Sequence, residues 1–277
     1  MDARLASTAV LPPPMPWWRA AINRSGGFLL GFVGFAFVVL AIWRLWIMPV
    51  FPETQNLAHA GGALAGQTYV NGLDAFDNSY KNGFRAFEVD FQRTSDLAIV
   101  CGHDWDAYND KPPSLATFLA DRAKIKHPPC TMLELAGWFK SHPDTKLLAD
   151  SKDDVVAINL ALRAALGPQL IAEAYDVSDV VNLALVDENE PVLGLYKLGG
   201  IPSRYATVMA MHYDPRRLSG IAMSVVDVWY GLALWSKIWV SQPVYVYTVN
   251  GCGYAPLLHL FGVDAVMTDQ LGPKACQ

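Results

Sequence analysis

The sequence is poor in charged residues and rich in hydrophobic ones. Lys, Arg, Asp and Glu together make up 17% of the 277 residues, whereas hydrophobic residues make up 52%. The formal net charge is −5 and there is no basic run or stripe, so we expect no nucleic-acid partner. The large apolar share excludes a wholly disordered chain and is sufficient for a sizeable core.

Cysteine is scarce, and the common nucleophile and nucleotide motifs are missing. The four cysteines show no CxxC pair and no zinc-like spacing, and they lie at Cys101, Cys130, Cys252 and Cys276. Isolated thiols are the simplest interpretation. One disulfide would be expected only in an oxidising compartment, and the sequence does not pair the residues. The absence of a G-x-S-x-G motif and of a Walker loop argues against serine hydrolases and P-loop proteins.

One long hydrophobic segment lies near the N-terminus. Residues 25–43 read SGGFLLGFVGFAFVVLAIW, which is 19 residues without a charge. As a helix, this run nearly covers a hydrocarbon core of ~30 Å at about 1.5 Å per residue. The apolar character continues further, so we predict a transmembrane anchor over residues 25–51. The alternatives are a buried core helix and a cleaved signal peptide, although 24 preceding residues are too many for an ordinary n-region.

Arginines are distributed unequally about this segment. Arg4, Arg19 and Arg24 precede it, whereas only Arg44 closely follows it. The asymmetry predicts a single-pass membrane protein with a cytoplasmic N-terminus and an extracytoplasmic (periplasmic) domain. Residues 1–24, which include LPPPMP, are predicted to be a flexible tail, and residues 56–277 to form one domain.

The predicted domain alternates short apolar segments with longer mixed ones. Eight segments are predicted as buried strands: residues 56–60, 86–91, 146–151, 170–175, 192–198, 206–212, 244–249 and 265–268. Helical patterns lie between several of them, at residues 72–82, 132–142 and 155–166. Eight strands with intervening helices predict an α/β fold, a (β/α)8 TIM barrel, with a doubly wound sheet as the alternative.

Charged residues occur in pairs at predicted strand ends. FEVDF places Glu88 and Asp90 two residues apart, so both point to the same face of a strand. LLADSK repeats this spacing with Asp150 and Lys152. Carboxylates that are buried together need a cation, and three of them suit a hard divalent ion, Mg²⁺ or Ca²⁺. The alternative is an exposed edge strand whose charges are solvated.

Histidines end two of the apolar segments. His59 follows the first predicted strand, and His103 ends a short apolar run after FEVDF. In barrels, catalytic groups gather at the carboxyl ends of the strands. A metal ion with two histidines can cleave a phosphodiester, because one histidine takes a proton from the nucleophile and the other gives one to the leaving oxygen. Lys152 would offset the negative charge that develops.

These residues resemble the motifs of the glycerophosphodiester phosphodiesterase family over nearly all of the predicted domain, residues 56–272. The family's His-Arg-Gly, Pro-Glu-Asn-Thr, Glu-x-Asp and acidic-x-Lys motifs resemble, in turn, His59-Ala60-Gly61, Tyr69-Val70-Asn71-Gly72, Glu88-Val89-Asp90 and Asp150-Ser151-Lys152. The resemblance implies the same (β/α)8 barrel. It also implies that His59 and His103 are the acid/base pair and that Glu88, Asp90 and Asp150 hold the metal.

Two positions depart from the family pattern. Ala60 stands where the family has an arginine that helps to bind phosphate, and Asp150 stands where glutamate is more usual. The Asp-x-Lys form is also similar to the sphingomyelinase D-like phospholipases, which share the barrel and leave a cyclic phosphate. Three interpretations stay open: a hydrolase of glycerophosphodiesters, a lyase that acts on lipids, and a degenerate barrel that binds lipid headgroups or a partner protein.

The first interpretation is the main prediction. It describes a membrane-anchored phosphodiesterase that depends on Mg²⁺ or Ca²⁺ and hydrolyses glycerophosphodiesters to glycerol 3-phosphate and an alcohol. Four polar residues are predicted to contact the substrate: Asn71, Glu173, Lys197 and Asn250. Asp269, in MTDQL, is predicted to cap a turn. The sequence predicts neither the leaving alcohol nor the oligomeric state.

Overall fold

The structure is a computed structural model, and it describes residues 34–35, 37–39, 56–186, 190–211, 218–240 and 242–275. The predicted tail, residues 1–24, lies outside the described residues. So does the predicted anchor, residues 25–51, apart from five helical positions. Among the described residues, no helix is both long and apolar enough to span a membrane. The described strands all belong to the unit Val50–Gln277.

Nine strands form one sheet within the described residues. They are β1 (Leu57–Ala58), β2 (Ala86–Arg93), β3 (Ile99–Cys101), β4 (Lys146–Ser151), β5 (Leu170–Ala174), β6 (Val192–Gly194), β7 (Gly220–Ser224), β8 (Val244–Tyr247) and β9 (Ala265–Thr268). Eight of them run parallel in the order β1-β2-β4-β5-β6-β7-β8-β9, and β1 also pairs with β9. The sheet therefore closes on itself, as a (β/α)8 barrel does, and the predicted barrel is confirmed. The doubly wound alternative is wrong, because an open sheet would leave two edges unpaired.

Nine α-helices follow or connect these strands in the same part of the chain. They are α1 (Leu73–Lys81), α2 (Leu115–Arg122), α3 (Met132–Ser141), α4 (Val155–Leu166), α5 (Val177–Val186), α6 (Ile201–Met211), α7 (Val225–Trp229), α8 (Leu232–Trp239) and α9 (Ala255–Leu260). The three predicted helices correspond to α1, α3 and α4 to within one residue at each end. Helix α3 begins with a capping box between Thr131 and Glu134. Helix α4 is capped by Asp154, whose side chain accepts a hydrogen bond from Ala157 N.

One predicted strand is wrong. Residues 206–211 of the predicted segment 206–212 are helical and belong to α6, and position 212 lies outside the described residues. The barrel strand at this place is β7, which pairs with β6 and β8. A short apolar run such as ATVMAM fits a buried strand and one face of a helix equally well, so its packing decides the outcome. Helix α6 buries Val208 and Met211.

A short excursion follows β2. Strand β3 pairs antiparallel with β2, so it lies outside the parallel barrel. Cys101, at its end, forms a disulfide bond with Cys130, and Cys101 N also donates to Cys130 O at 2.8 Å. The prediction of isolated thiols is wrong for these two residues, because the fold brings together positions 29 residues apart. It is also wrong for Cys252, which is disulfide-bonded as well. The bond ties the segment that leads to His103 to the start of α3.

Strand β2 carries alternate side chains to opposite sides. Phe87 is fully buried against the helices, with ring centroids 5.6 Å from Phe76 of α1 and 5.3 Å from Trp138 of α3. Since neighbouring side chains on a strand point to opposite faces, this aromatic packing turns Glu88 and Asp90 into the barrel. The apolar core thus sets the direction of the two carboxylates.

Candidate active site

The predicted site residues meet at the carboxyl ends of the barrel strands. Strands β2 and β4 pair with Asp90 beside Asp150. A cavity of about 150 Å³ opens there. Seven of the predicted residues line it: His59, Glu88, Asp90, His103, Asp150, Lys152 and Glu173. The alternative of a solvated edge strand is wrong, because Glu88 is 3% exposed, Asp90 is 1% exposed and β2 is flanked by β1 and β4.

Three carboxylates form a compact group in this cavity. Glu88, Asp90 and Asp150 each place one oxygen within 4.8 Å of the other two, and all three residues are buried. Glu88 Oε2 accepts a hydrogen bond from Ala60 N at 2.8 Å, but Glu88 Oε1 has no hydrogen-bond partner. Burial, followed by the neighbouring Asp90, raises the pKa of Glu88 to about 8. An orphaned oxygen beside two more carboxylates fits a hard divalent cation.

Lys152 partly balances this group. Its Nζ lies 2.9 Å from Asp90 Oδ1 and 2.6 Å from Asp150 Oδ2. Burial alone would lower the pKa of Lys152, but Asp150 and Asp90 outweigh it and raise the pKa above its ordinary value. One lysine against three carboxylates leaves a surplus of negative charge when all of them are ionised. A divalent cation held by the carboxylates would remove that surplus.

His59 is held by a residue from the far end of the chain. Its Nδ1 lies 2.8 Å from Asp269 Oδ1, and its Nε2 lies 3.9 Å from Glu88 Oε2. Burial alone would lower the pKa of His59, but the hydrogen bond to Asp269 and the charges of Glu88, Asp269 and Asp90 raise it to about 9. Because the carboxylate of Asp269 accepts the hydrogen bond, Nδ1 carries a proton and Nε2 is left for the cavity.

Asp269 was predicted to cap a turn, but its side chain holds a histidine of the site. It follows β9, and Asn250 Nδ2 donates to its Oδ2 at 2.7 Å while Asp269 N donates to Asn250 Oδ1 at 2.8 Å. Its position directly after a strand is the same signal that singled out His59. Asn250 therefore contacts Asp269, and through it orients His59. It is not among the residues that line the cavity.

His103 lies at the open side of the cavity. Its side chain is 44% exposed, and its Nδ1 lies 3.1 Å from Asp104 Oδ2. The ring of Tyr69 stands between the two histidines, with centroids 4.8 Å from His59 and 4.9 Å from His103. Both histidines therefore border the same small space.

The polar residues predicted to contact the substrate fall into different places. Asn71 is buried and holds Asp90: its Nδ2 donates to Asp90 Oδ2 at 2.9 Å, and its Oδ1 accepts from Asp90 N at 3.2 Å. Lys197 is absent from the cavity lining and instead borders a neighbouring cleft, where its Nζ donates to Ser151 O at 3.1 Å. Glu173 lines the cavity itself.

Glu173 is only 3% exposed, and its carboxyl group accepts no hydrogen bond from the described residues. A Cβ built on Gly194 would lie 2.1 Å from Glu173 Oε1, so the glycine leaves room for the carboxyl group. Burial, reinforced by Asp150 and Glu88, raises the pKa of Glu173 well above its ordinary value. Next to it, the hydroxyl groups of Tyr175 and Tyr196 both donate to Asp150 Oδ1, Tyr196 at 3.0 Å.

The backbone after β1 is shaped by His59-Ala60-Gly61-Gly62. Ala60, Gly61 and Gly62 have φ values of 49°, 82° and 94°. A Cβ on Gly62 would lie 2.3 Å from Ser79 Oγ, so this position also needs the absence of a side chain. The tight turn brings Ala60 N onto Glu88 and places His59 over the carboxylates.

Known structures share this architecture. No protein-family model matches the chain, and no curated protein matches it in sequence. A glycerophosphodiester phosphodiesterase from Parabacteroides distasonis matches with a TM-score of 0.60 and 14% identity, over 81% of this chain and 95% of that one. One from Thermotoga maritima matches with a TM-score of 0.55 and 19% identity, over 77% and 93%.

A third structure contains a ligand. An Oleispira antarctica phosphodiesterase in complex with the product sn-glycerol-3-phosphate matches with a TM-score of 0.59 and 18% identity, over 80% of this chain and 95% of that one. At these identities the likeness shows the fold. The chain thus shares its barrel with glycerophosphodiester phosphodiesterases, the family that its motifs resemble.

Proposed function

We propose that the chain is a metal-dependent phosphodiesterase that hydrolyses glycerophosphodiesters to sn-glycerol 3-phosphate and an alcohol. The observation that carries this proposal is the grouping of three buried carboxylates and two histidines around one cavity at the barrel mouth. The motif resemblance and the structural neighbours support it. A binding protein with no chemistry to perform would have no need for an acid/base pair beside the carboxylates.

Glu88, Asp90 and Asp150 would hold the metal ion, Mg²⁺ or Ca²⁺. Carboxylate oxygens suit both ions as ligands. Glu88 Oε1 has no hydrogen-bond partner, so its lone pairs are available to the ion. When bound, the ion supplies positive charge to the phosphate oxygens. Asn71 keeps Asp90 in place, and Lys152 adds a fixed positive charge at the edge of the same group.

The two histidines move the protons. Asp269 stabilises the protonated form of His59, so His59 suits the role of giving a proton to the leaving oxygen. His103, half-exposed beside Asp104, suits the role of taking a proton from the attacking hydroxyl group. That hydroxyl belongs to the substrate itself or to water, and a cyclic phosphate formed in the first case would then be opened by water.

A lyase is the second candidate, since Asp150-Ser151-Lys152 is similar to the sphingomyelinase D-like pattern. The structure places this pair in the same cavity, with Lys152 bonded to Asp150. The two candidates differ in their product: a lyase leaves a cyclic phosphate that persists, whereas a hydrolase opens it.

We further propose that residues 25–51 anchor the protein, with the N-terminus in the cytoplasm and the barrel on the extracytoplasmic side. The uncharged run and the arginine asymmetry support this arrangement. The Cys101–Cys130 disulfide also supports it, since disulfides persist mainly in oxidising compartments. The test is carbonate extraction and protease protection of the full chain. Release into the soluble fraction, or protection of the barrel on the cytoplasmic side of the membrane, would count against the proposal.

The decisive experiment incubates the full chain with glycerophosphocholine, glycerophosphoinositol or a lysophospholipid and identifies the products by phosphorus NMR. We expect the two glycerophosphodiesters to yield sn-glycerol 3-phosphate with Mg²⁺ or Ca²⁺, and EDTA to stop the reaction; cleavage of the lysophospholipid would instead leave an acylated glycerol phosphate. His59→Ala and His103→Ala should each abolish turnover, whereas the control His142→Gln, outside the cavity, should not. Turnover that survives both histidine changes would refute the mechanism. Metal binding without hydrolysis of any substrate would favour a binding barrel.

A further inference from the structure

A small turn lies between β1 and Tyr69, a residue that lines the cavity. Leu64 and Gln67 exchange both backbone hydrogen bonds, at 2.9 and 3.0 Å, around Ala65 and Gly66, which have φ values of 51° and 83°. Two residues later, Tyr69 has a φ of 53°, a left-handed conformation that residues with a Cβ adopt at a cost. Such strain in a non-glycine residue persists only where the surroundings enforce it, and it is concentrated at functional sites.

The surroundings of Tyr69 do enforce its position. Asn71 N donates to Ala60 O at 2.9 Å, and Asn71 O accepts from Cys130 N at 2.8 Å. The side chain of Asn71 holds Asp90. The backbone two residues beyond Tyr69 is thus fastened to the turn that carries His59, to the disulfide segment and to a candidate metal ligand.

The side chain of Tyr69 is placed between the two candidate acid/base residues. Its ring meets His59 and His103 edge-on, at 4.8 and 4.9 Å, and lines the cavity. Its hydroxyl group forms no hydrogen bond with any residue that the structure describes, and the residue is 48% exposed. A phosphodiester that exchanges protons with both histidines must therefore lie against this ring.

Two other donors that line the cavity, Lys152 and Tyr196, are already engaged. Lys152 is bonded to Asp90 and Asp150, and the Tyr196 hydroxyl donates to Asp150. Tyr247 has an unpartnered hydroxyl, but that hydroxyl is buried, whereas Tyr69 stands at the histidines. Ala60, next to His59, has no donor in its side chain. A phenol is protonated at neutral pH and donates one hydrogen bond.

We propose that the hydroxyl group of Tyr69 donates a hydrogen bond to a non-bridging oxygen of the substrate phosphate, while its ring sets the gap between His59 and His103. This inference rests on the proposed function, and it adds a phosphate-binding residue to it. The ligand class is a phosphate mono- or diester. The phenol supplies a neutral donor between the two histidines, on the exposed side of the cavity away from Lys152.

The test compares Tyr69→Phe with Tyr230→Phe in the full chain. Tyr230 is 60% exposed and lies outside the cavity, so its variant should behave as the wild type. Loss of one hydrogen bond to a charged oxygen should lower kcat/KM of Tyr69→Phe by about 10- to 100-fold. The dissociation constant of sn-glycerol 3-phosphate, measured by calorimetry, should rise by about 10-fold. The melting temperature should not change, because the hydroxyl has no partner within the protein.

The outcomes separate this inference from the proposed function. Tyr69→Phe with kinetics and phosphate binding within twofold of the wild type overturns the inference, even if Tyr69→Ala is inactive, since then only the ring matters. If the wild type binds sn-glycerol 3-phosphate but hydrolyses no diester, the proposed function fails, and the calorimetric comparison alone decides the inference. A wild type that binds no phosphate ester at all overturns both.

Discussion

Two lysines of this protein, one partly buried and one fully buried, are paired with carboxylates in different ways. Lys152 touches Asp90 and Asp150 at the barrel mouth and is 16% exposed, with Glu88 in the same group. Lys237 of α8 forms an ion pair with Asp264, and the two side chains are 1% and 2% exposed. Lys237 Nζ also donates to Gln242 O at 2.9 Å, and Asp264 Oδ2 accepts from Val244 N at 2.8 Å.

The difference lies in the charge balance. Lys237 and Asp264 pair with each other and are sealed from water, which is a structural arrangement. Around Lys152 the carboxylates outnumber the lysine, and Glu88 Oε1 is left without a partner. A local surplus of charge beside a cavity indicates a place for a ligand, whereas a balanced buried pair indicates stability.

Removing charge from the surplus should have the largest effect on activity. Glu88→Gln keeps an acceptor for Ala60 N but removes one candidate metal ligand. We expect turnover to fall roughly 10⁴-fold, about 5.5 kcal/mol in barrier height, and calorimetric metal binding to weaken. Burial raises the pKa of Glu88 from 4.5 to about 8, so the wild type loses stability as the pH rises from 4.5 towards 8, a loss that glutamine avoids. The variant in EDTA at neutral pH should therefore be as stable as the wild type or more so. A Glu88→Gln variant that is fully active but less stable than the wild type would show that Glu88 serves stability and not the reaction.

Breaking the balanced pair should have the opposite effect. Asp264→Asn removes a carboxylate that pairs with the buried Lys237 ammonium group, so urea unfolding should show a loss of about 3 to 5 kcal/mol. Turnover per folded molecule should be unchanged, because this pair lies outside the cavity. The double variant Lys237→Met/Asp264→Leu serves as the control and should recover much of the lost stability. Loss of activity without loss of stability would show that the pair is not merely structural.

A smaller effect is expected when the charge near the site is neutralised but the hydrogen bond is kept. Asp269→Asn still offers His59 Nδ1 an acceptor, yet no longer stabilises the imidazolium. We expect kcat to fall about 10²-fold, and the alkaline limb of its pH profile to move to lower pH because the pKa of His59 is no longer raised by Asp269. An unchanged profile in the variant would show that the charge of Asp269 does not raise the pKa of His59 in the working enzyme.

The smallest effect concerns a balanced pair at the surface. Arg122 donates to both carboxylate oxygens of Glu134 at 2.6 Å, and this hydrogen bonding lowers the pKa of Glu134 to about 2 from an ordinary value of 4.5. The pair therefore contributes stability above pH 4.5 and loses that contribution as pH falls towards 2. Since Glu134 is 39% exposed, the contribution should stay below about 1 kcal/mol.

The measurement is urea unfolding of the wild type and of Glu134→Gln at pH 7, 5 and 3. The difference between the two proteins should be greatest at pH 7 and should shrink by pH 3. A difference that grows as the pH falls would mean that the sign of the linkage is wrong.

Much of the fold could be predicted from local patterns. The alternation of apolar segments predicted a barrel, and α4 lies at residues 155–166 as expected. The pairing of Glu88 with Asp90 predicted two carboxylates on one face, because the period of a strand is a local property. The strand predicted at residues 206–212 was wrong, because a short, mostly apolar run does not distinguish a strand from a helix.

The rest of the site depended on contacts between distant parts of the chain. Asp269 meets His59 across 210 residues, and Cys101 meets Cys130 across 29. Lys197 was predicted to contact the substrate because it follows β6. Its Nζ instead donates to Ser151 O, and the residue borders another cleft. Strand-end position predicts which edge of the barrel a residue reaches, and it does not predict the direction of a side chain in a loop.

Local patterns were enough to predict the apolar alternation, the spacing of the charged pairs and the histidines near strand ends, because each depends on residues that are near one another in the chain. Which oxygen is left without a partner, which residue orients His59 and what stands between the histidines depended on the folded barrel. Those outcomes arise when the barrel closes, because closure alone brings the first strand against the last and sets which charges are buried together.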